Sequence, residues 1–262
     1  MKYLLLCSLL LTCSFNLLNA QSYYLMPGGF FPEKGQMTDV GVFYGKGFDT
    51  VKAKKLPVSQ LADASLYAGG KPINLLSANK DAQGHLSVQL NNSGLCMVTA
   101  KKELSESEID REDVIRQLSD EGFPELSGKV SDKEEMSINN IFALKTLLMA
   151  AKPSGNEYSE KTGHDLELVL LQNPYKLKYG EDLTAQILFK GKPLGKIRAE
   201  VYTKTLNGTV FPSENISDED GKIYIKLNRS GDWMIKVINI APAEKADYNR
   251  WCSTYTFGFR SE

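Results

Sequence analysis

The sequence is poor in the residues that build most metal sites and nucleophile-based active sites. It has two histidines, His85 and His164, and four cysteines in 262 residues. A specific transition-metal site usually needs three or four imidazole, thiolate or carboxylate ligands, and a Ser or Cys nucleophile needs a neighbouring base. No Gly-x-Ser-x-Gly elbow, His-Glu-x-x-His pair or phosphate-binding glycine loop is present. The sequence therefore predicts a protein that is not an enzyme and has no resident cofactor.

An excess of charge and long apolar runs are lacking as well. The 31 basic and 32 acidic residues give a formal net charge of −1, so nothing indicates a nucleic-acid partner. No stretch beyond residue 20 approaches the roughly 20 apolar residues of a membrane-spanning helix. The sequence predicts no transmembrane segment once the first twenty residues are removed.

Those first twenty residues have the pattern of an export signal. A short positive start is followed by the apolar run Leu4–Leu18, and Leu18–Ala20 is a small-residue cleavage site that leaves Gln21 first. We expect a signal peptide over residues 1–20 and a periplasmic or secreted protein. The alternative is a lipoprotein anchored through Cys13, although Thr precedes that cysteine where Gly, Ala or Ser is usual.

The number of cysteines is compatible with export but is too small to define a disulfide framework. Cys7 and Cys13 leave with the signal peptide, so Cys96 and Cys252 remain, one in each proposed domain. An oxidising compartment permits a disulfide between them. Two isolated cysteines more often behave as small buried hydrophobes, and we favour buried thiols over a disulfide.

The most informative feature that is present is a repeat. Residues 81–98 read DAQGHLSVQLNNSGLCMV and residues 218–235 read DEDGKIYIKLNRSGDWMI, with no gap between the two patterns. Each begins with an Asp-x-x-Gly turn in which Gly84 or Gly221 takes a positive φ. An alternating strand, an Asn-x-Ser-Gly turn and a second strand follow, which predicts a β-hairpin. Copies separated by more than a hundred residues indicate two domains of one type.

Short strands separated by Gly, Pro and Asp turns favour a mainly β protein of two tandem immunoglobulin-like antiparallel β-sandwich domains. We place the N-terminal domain at 21–160 and the C-terminal domain at 161–262. The charged segment 103–122, stopped by Gly122, predicts a short helical insert between them. Segment 136–151 is ambiguous, because its Leu, Met and Ala residues favour a helix on propensity alone.

Several segments resemble the DUF4198 family, which is related to the periplasmic (NikM-like) component of cobalt and nickel uptake systems. The resemblance covers essentially the whole chain after residue 20, including 113–126 and 140–148, and is strongest over 163–238, which contains 163–169 (GHDLELV), 188–194 (LFKGKPL) and 218–221 (DEDG). It implies an exported protein of β-sandwich domains with an envelope or transporter partner. It also implies that segment 136–151 ends in a strand.

The resemblance implies nickel or cobalt as a possible ligand. Family members commonly carry a His beside the mature N-terminus and a Gly-His pair in the second strand. This chain has Gln21–Tyr24 at the first place and Gly45–Phe48 at the second, so both expected imidazoles are absent. We therefore expect an exported, non-enzymatic binding or accessory protein. The first alternative is a cell-envelope interaction module or a carbohydrate-binding β-sandwich module. The second is a hydrolase, whose catalytic carboxylates the sequence does not single out.

Two charged residues stand inside otherwise apolar segments. Lys145 lies within Phe142–Leu148, and Glu167 lies within Leu166–Leu171. A buried charge needs a partner, so we hypothesise that the two pair across the domain junction; the alternative is that each points to solvent. No catalytic, metal-binding or ligand-binding residue is singled out. The structural candidates are Lys145, Glu167, Gly84, Gly221, Cys96 and Cys252.

Overall fold

The computed structural model describes residues 21–79, 82 and 84–261, apart from the side chain of Ser107. The predicted signal peptide, Cys13 and Asp81 of the first repeat lie outside the described residues. Strand residues make up 50% of the chain and helical residues 11%, which confirms the mainly β prediction. Among the described residues, no helix has the length and apolar character needed to cross a membrane.

The described part of the chain contains sixteen strands and three short α-helices. The strands are β1 Ser22–Pro27, β2 Met37–Gly45, β3 Lys54–Lys55, β4 Asp63–Tyr67, β5 Ile73–Asn74, β6 His85–Gln89, β7 Gly94–Asp110, β8 Glu135–Ala150, β9 Leu166–Leu170, β10 Asp182–Phe189, β11 Lys192–Pro193, β12 Arg198–Lys204, β13 Val210–Ile216, β14 Lys222–Lys226, β15 Gly231–Pro242 and β16 Tyr248–Phe259. The helices are α1 Leu76–Asn79, α2 Arg111–Asp120 and α3 Pro124–Ser127.

One eight-stranded sheet runs through both halves of the chain, where the first half is β1 to β8 and the second half is β9 to β16. Its order is β13-β12-β15-β16-β8-β7-β4-β5. The halves meet where β16 pairs with β8 in parallel, over Tyr248–Phe257 and Ile138–Leu147, while the other neighbouring pairs in this sheet are antiparallel. The central sheet is thus continuous from the first half to the second.

Two four-stranded sheets lie on opposite faces of the central sheet. In the first, β2 pairs with β1, β3 and β6; in the second, β10 pairs with β9, β11 and β14. Side chains alternate along a strand, and along β8 Leu144 and Leu148 enter the core beneath the first sheet while Leu147 enters the core beneath the second. Each small sheet therefore covers its own core, and strands of both halves contribute central-sheet residues to each core.

The position of β8 and β16 explains an ambiguity in the sequence. Both strands lie in the middle of the central sheet, and nearly every residue of β16 from Arg250 to Phe259 is buried. A strand that is buried on both faces reads as a continuous apolar run without alternation. The strand implied by the family for 136–151 is confirmed, and the helix suggested by local propensity is wrong.

The predicted hairpin is wrong in its pairing, although the Asp-x-x-Gly turn of the second copy forms, with Gly221 N donating to Asp218 O at 3.0 Å. Strand β6 pairs with β2 in the first small sheet, whereas β7 pairs with β4 and β8 in the central sheet; β14 and β15 separate in the same way. The repeat is therefore an arch that crosses between layers. Alternation identifies the buried face of a strand but not the strand it pairs with.

Glycine is required at the turn before β6 and at the turn before β14, where the two arches begin. Gly84 has φ +79° and Gly221 has φ +71°, as predicted. A Cβ on Gly221 would lie 2.6 Å from the carbonyl oxygen of Ile187, and one on Gly84 would lie 2.7 Å from the Cβ of Lys55. Both positions therefore combine a left-handed backbone with a close approach that other residues cannot make.

The helical insert is shorter than expected. The residues from Glu103 to Asp110 continue β7 and pair with β8, with a register shift between Glu106 and Ile109. The helix begins only at Arg111 and buries Val114 and Leu118. The prediction for 103–110 is wrong because strand pairing with β8 outweighs a weak local helix preference.

Candidate binding cleft

A cleft of about 740 Å³ opens where three parts of the chain meet. It is lined by the loop Lys46–Val51 after β2, by the C-terminal end of α2, and by β12 with β13. Residues alternate along β12, so Ala199 and Val201 enter the core of the second half. The intervening Arg198, Glu200, Tyr202 and Lys204 line the cleft. The fold thus presents a row of polar side chains from a single strand.

The floor of the cleft is built around Glu200. Its carboxylate accepts a hydrogen bond from the Tyr202 hydroxyl and two from Lys236 Nζ at 3.1 and 3.3 Å. The Lys236 side chain is 2% exposed and that of Glu200 is 21% exposed. A buried ammonium group therefore neutralises and orients a carboxylate that still reaches the cleft. Burial, and secondarily Glu200, raises the pKa of Tyr202, which stays a neutral donor.

The walls of the cleft are tied to one another across the two halves. Lys204 Nζ donates to Thr50 Oγ1 at 2.7 Å, which holds the loop after β2 against β12. Arg198 donates to the backbone carbonyl oxygen of Asp120, and its guanidinium also lies 3.8 Å from Glu214. These contacts fix α2 of the first half against the second half.

A second cavity of about 480 Å³ adjoins the first. Both are lined by Lys46, Asp120 and Glu121, so the two cavities adjoin at these residues; we call the cavities the two lobes of the cleft and the shared residues its waist. In the second lobe the rings of Tyr23 and Tyr44 stack with their centroids 4.5 Å apart. The second lobe thus adds aromatic surface to a largely polar cleft.

The waist is held by a buried ion pair. Arg250 Nε donates to Glu121 Oε2 at 2.7 Å and Arg250 Nη2 donates to Glu121 Oε1 at 2.7 Å. Arg250 Nη1 also donates to Asn140 Oδ1 at 3.3 Å. The two charged side chains are only 3% and 2% exposed. Such bidentate pairing leaves the Glu121 carboxylate little rotational freedom.

Comparison with known proteins identifies the family. The profile of DUF4198, described as a domain of unknown function, matches residues 18–241. The chain belongs to the DUF4198 family. No curated protein matches it.

Two solved structures are similar at low identity. A tetra-tandem repeat from the extending region of a large adhesion protein is 10% identical with a TM-score of 0.25, and the match covers 92% of this chain and 50% of that one. The chain therefore spans half the length of that structure. The D0-D1 domain of intimin is 9% identical with a TM-score of 0.23, covering 91% and 98%. At these scores neither likeness supports an inference about this DUF4198 protein.

The pair predicted from sequence forms in this DUF4198 chain, away from the cleft. Lys145 Nζ donates to Glu167 Oε1 at 2.7 Å, with side chains 1% and 4% exposed. Lys145 also donates to the carbonyl oxygens of Glu160 and Leu168 at 2.9 and 3.0 Å. Burial lowers the pKa of Lys145, and the paired carboxylate opposes that shift. The pair therefore anchors the connector, the segment between β8 and β9 that joins the two halves, and it does not line the cleft.

Among the described residues, Cys96 and Cys252 are free thiols, and both are buried in the same core. Burial, and secondarily Glu157, raises the pKa of the Cys96 thiol to about 11. A thiol with so high a pKa is largely protonated and unreactive at neutral pH. The structure agrees with the buried-thiol interpretation and does not contain the alternative disulfide.

The two histidines are far from forming a metal centre. His85 Nε2 lies 3.9 Å from Asp39 at a partly exposed position. His164 lines a separate cavity of about 100 Å³ beside Trp251, and its buried Nδ1 has no hydrogen-bond partner. Among the residues that the structure describes, no group of three or more His, Cys, Asp or Glu side chains is placed to hold a metal ion.

The sequence reasoning missed the residues that organise the cleft. Lys236 stands in the apolar run of β15, which is the same signal that identified Lys145 and could have identified Lys236. Arg250 follows Asn249 at the start of β16, where no apolar run marks it. Their partners could not have been found in this way, because Glu121 and Glu200 lie in charged or mixed segments of the sequence.

Breaking the buried pair should destabilise the protein. We expect Lys145→Ala to lower the free energy of unfolding by about 3–5 kcal/mol, because Glu167 would be left as an unpaired charge in the core. Urea unfolding at neutral pH measures this. The control is Lys226→Ala, which breaks an exposed contact with Asp182 of 3.1 Å and should cost at most about 1 kcal/mol. Equal losses in the two variants would contradict a buried, energetically coupled pair.

The second stability prediction concerns pH. Burial, then Lys145, lowers the pKa of His164; Glu167 and Asp63 oppose this shift, and Lys101 adds to it. At His164 the unfolded chain therefore binds a proton more readily than the folded chain does. Protonation of this imidazole thus lowers the free energy of unfolding as the pH falls below about 6.5. We expect His164→Gln to lose less stability than the wild type between pH 7.5 and pH 5 in urea unfolding. An unchanged slope in His164→Gln would refute the assignment.

Proposed function

We propose that this DUF4198 protein is a non-enzymatic binding module of the cell envelope and that the two-lobed cleft is its ligand site. One observation carries the proposal: the polar groups of the cleft are fixed in advance by buried ion pairs. The larger lobe, at about 740 Å³, falls within the usual range of ligand pockets. Groups that are already ordered do not lose conformational freedom when a ligand arrives, which favours binding.

The arrangement of the carboxylates supports binding rather than catalysis. Glu121 and Glu200 both line the cleft, and each is paired with a buried cation. A catalytic carboxyl group must reach the substrate, whereas Glu121 is only 2% exposed and Glu200 is engaged by Lys236. The partly exposed Glu200 carboxylate can still accept a hydrogen bond from a ligand, and we propose that the protein has no catalytic residues.

We further propose a domain description and a location. The halves 21–160 and 161–262 act as two immunoglobulin-like sandwiches that share the central sheet, and the ligand lies at their junction. The export signal predicted over residues 1–20 supports a periplasmic or secreted protein, with a lipoprotein anchored through Cys13 as the alternative. An envelope or transporter protein remains the proposed partner.

The binding role can be tested with insoluble envelope material. We expect purified residues 21–262 to pellet with an isolated envelope fraction, and Lys204→Glu to reduce the bound fraction by about tenfold, which corresponds to about 1.4 kcal/mol. The substitution breaks the contact with Thr50 and places a negative charge in the cleft beside Glu200. The control is Lys226→Glu, on the exposed face of β14. If both variants, folded by circular dichroism, pellet like the wild type, the cleft is not the binding site.

We also propose that nickel and cobalt are not resident ligands, although the family resemblance implied them as possible. The absence of both expected imidazoles from the sequence supports this, because nickel and cobalt sites favour nitrogen ligands. Titration calorimetry of the mature protein with NiCl₂ and CoCl₂ should give no binding heat at micromolar metal. Stoichiometric binding that is lost in His164→Gln would contradict the proposal.

A further inference from the structure

We infer that the cleft binds an uncharged oligosaccharide that spans both lobes. This inference rests on the proposed function, since it names the class of ligand for the same site. Three properties of the cleft lead to it: its two-lobed shape, the internal pairing of its buried charges, and the placement of its apolar surface.

The shape favours an elongated ligand. The lobes of about 740 and 480 Å³ share only Lys46, Asp120 and Glu121. The Glu121 carboxylate at this waist is fixed by Arg250. A compact ligand would fill one lobe and leave the other unused. A chain of similar units can place one unit in each lobe and pass its linkage through the waist.

The charges favour a neutral ligand with many hydroxyl groups. Glu200 is bonded to Lys236, Glu121 to Arg250, and Arg198 to the Asp120 carbonyl oxygen. An ionic ligand would compete with these pairs and leave buried charges unmatched. The paired groups keep unused lone pairs and protons. A hydroxyl group both donates and accepts, so it can bond to either kind of group without adding charge.

The apolar surface fits the carbon-bearing faces of sugar rings. In the second lobe the half-buried Tyr44 stacks on Tyr23, which gives a rigid flat surface. In the first lobe, Val51 on the loop and Pro212 on β13 are exposed. Aromatic rings offer such area at a low entropic cost. Each lobe therefore combines a polar strip with an apolar patch.

A peptide is the main rival, and the sheet edge disfavours it. Extended peptides are commonly bound by main-chain pairing with an edge strand. The edge strand next to the first lobe is β13, and Pro212 lies within it. Proline cannot donate to a new strand and therefore interrupts such pairing.

The test is titration calorimetry of residues 21–262 with defined ligands. The probes are the trimers and hexamers of chitin, maltose-type and cellulose-type oligosaccharides, with an uncharged Gly/Ser hexapeptide for comparison. We expect one saccharide series to bind, its hexamer at least tenfold tighter than its trimer, and no binding of the peptide. Tighter binding of the peptide would overturn the inference.

Variants assign the binding to the cleft. Tyr44→Ala should reduce hexamer affinity to about that of the trimer, and Tyr44→Phe should retain it, because only the ring is needed. Tyr224→Ala is the matched control, since Tyr224 is an exposed tyrosine on β14 outside the cleft. Binding that is unaffected by both Tyr44→Ala and Lys204→Glu would place the saccharide elsewhere and overturn the inference.

The ligand class and the binding role can fail separately. Cleft-dependent pelleting with the envelope fraction, without binding of any soluble saccharide, overturns the oligosaccharide assignment and leaves the binding role standing. If the wild type neither pellets nor binds a saccharide, both the assignment and the proposed function are wrong.

Discussion

The parallel pairing of β8 with β16 is the contact on which the rest of the structure depends. It joins strands from the two halves into one sheet and so fixes how the halves are placed. Because each small sheet covers a different face, both strands are buried on both sides. The cleft lies at the same junction: α2 comes from the first half, β12 from the second, and Arg198 holds them together.

Double burial also explains why the buried charges come in pairs. Lys145 and Arg250 lie on the two strands that form the junction, and a charge there cannot reach water. Each is matched by a carboxylate from a segment that packs over the sheet: Glu167 beside the connector and Glu121 just after α2. Each pair therefore fixes the position of the segment that carries the carboxylate. Contacts between apolar side chains are less directional and specify that position less strictly.

The sequence was sufficient for the general architecture but not for the pairing of strands. The repeat, the turn glycines Gly84 and Gly221, and the pairing of Lys145 with Glu167 all depend on local patterns or on the cost of an isolated buried charge. The pairing of β6 and β7 with different strands does not follow from local patterns, because the same alternation of apolar and polar residues occurs in a hairpin and in an arch. The start of α2 at Arg111 was missed because long-range pairing with β8 overrode local propensity. The cleft was missed because its walls are distant in sequence.

The β8–β16 contact also determines the order in which the chain can fold. It pairs residues such as Ile138 and Tyr248, which are about a hundred residues apart in the chain. Closing so long a loop has an entropic cost that must be met before the contact stabilises anything, and folds dominated by such contacts form slowly. The first half cannot cover the Leu147 face of β8 until the second half is available. Until the second half is in place, the apolar face around Leu147 therefore stays exposed, and such transiently exposed surface is where a folding chain is most prone to aggregate.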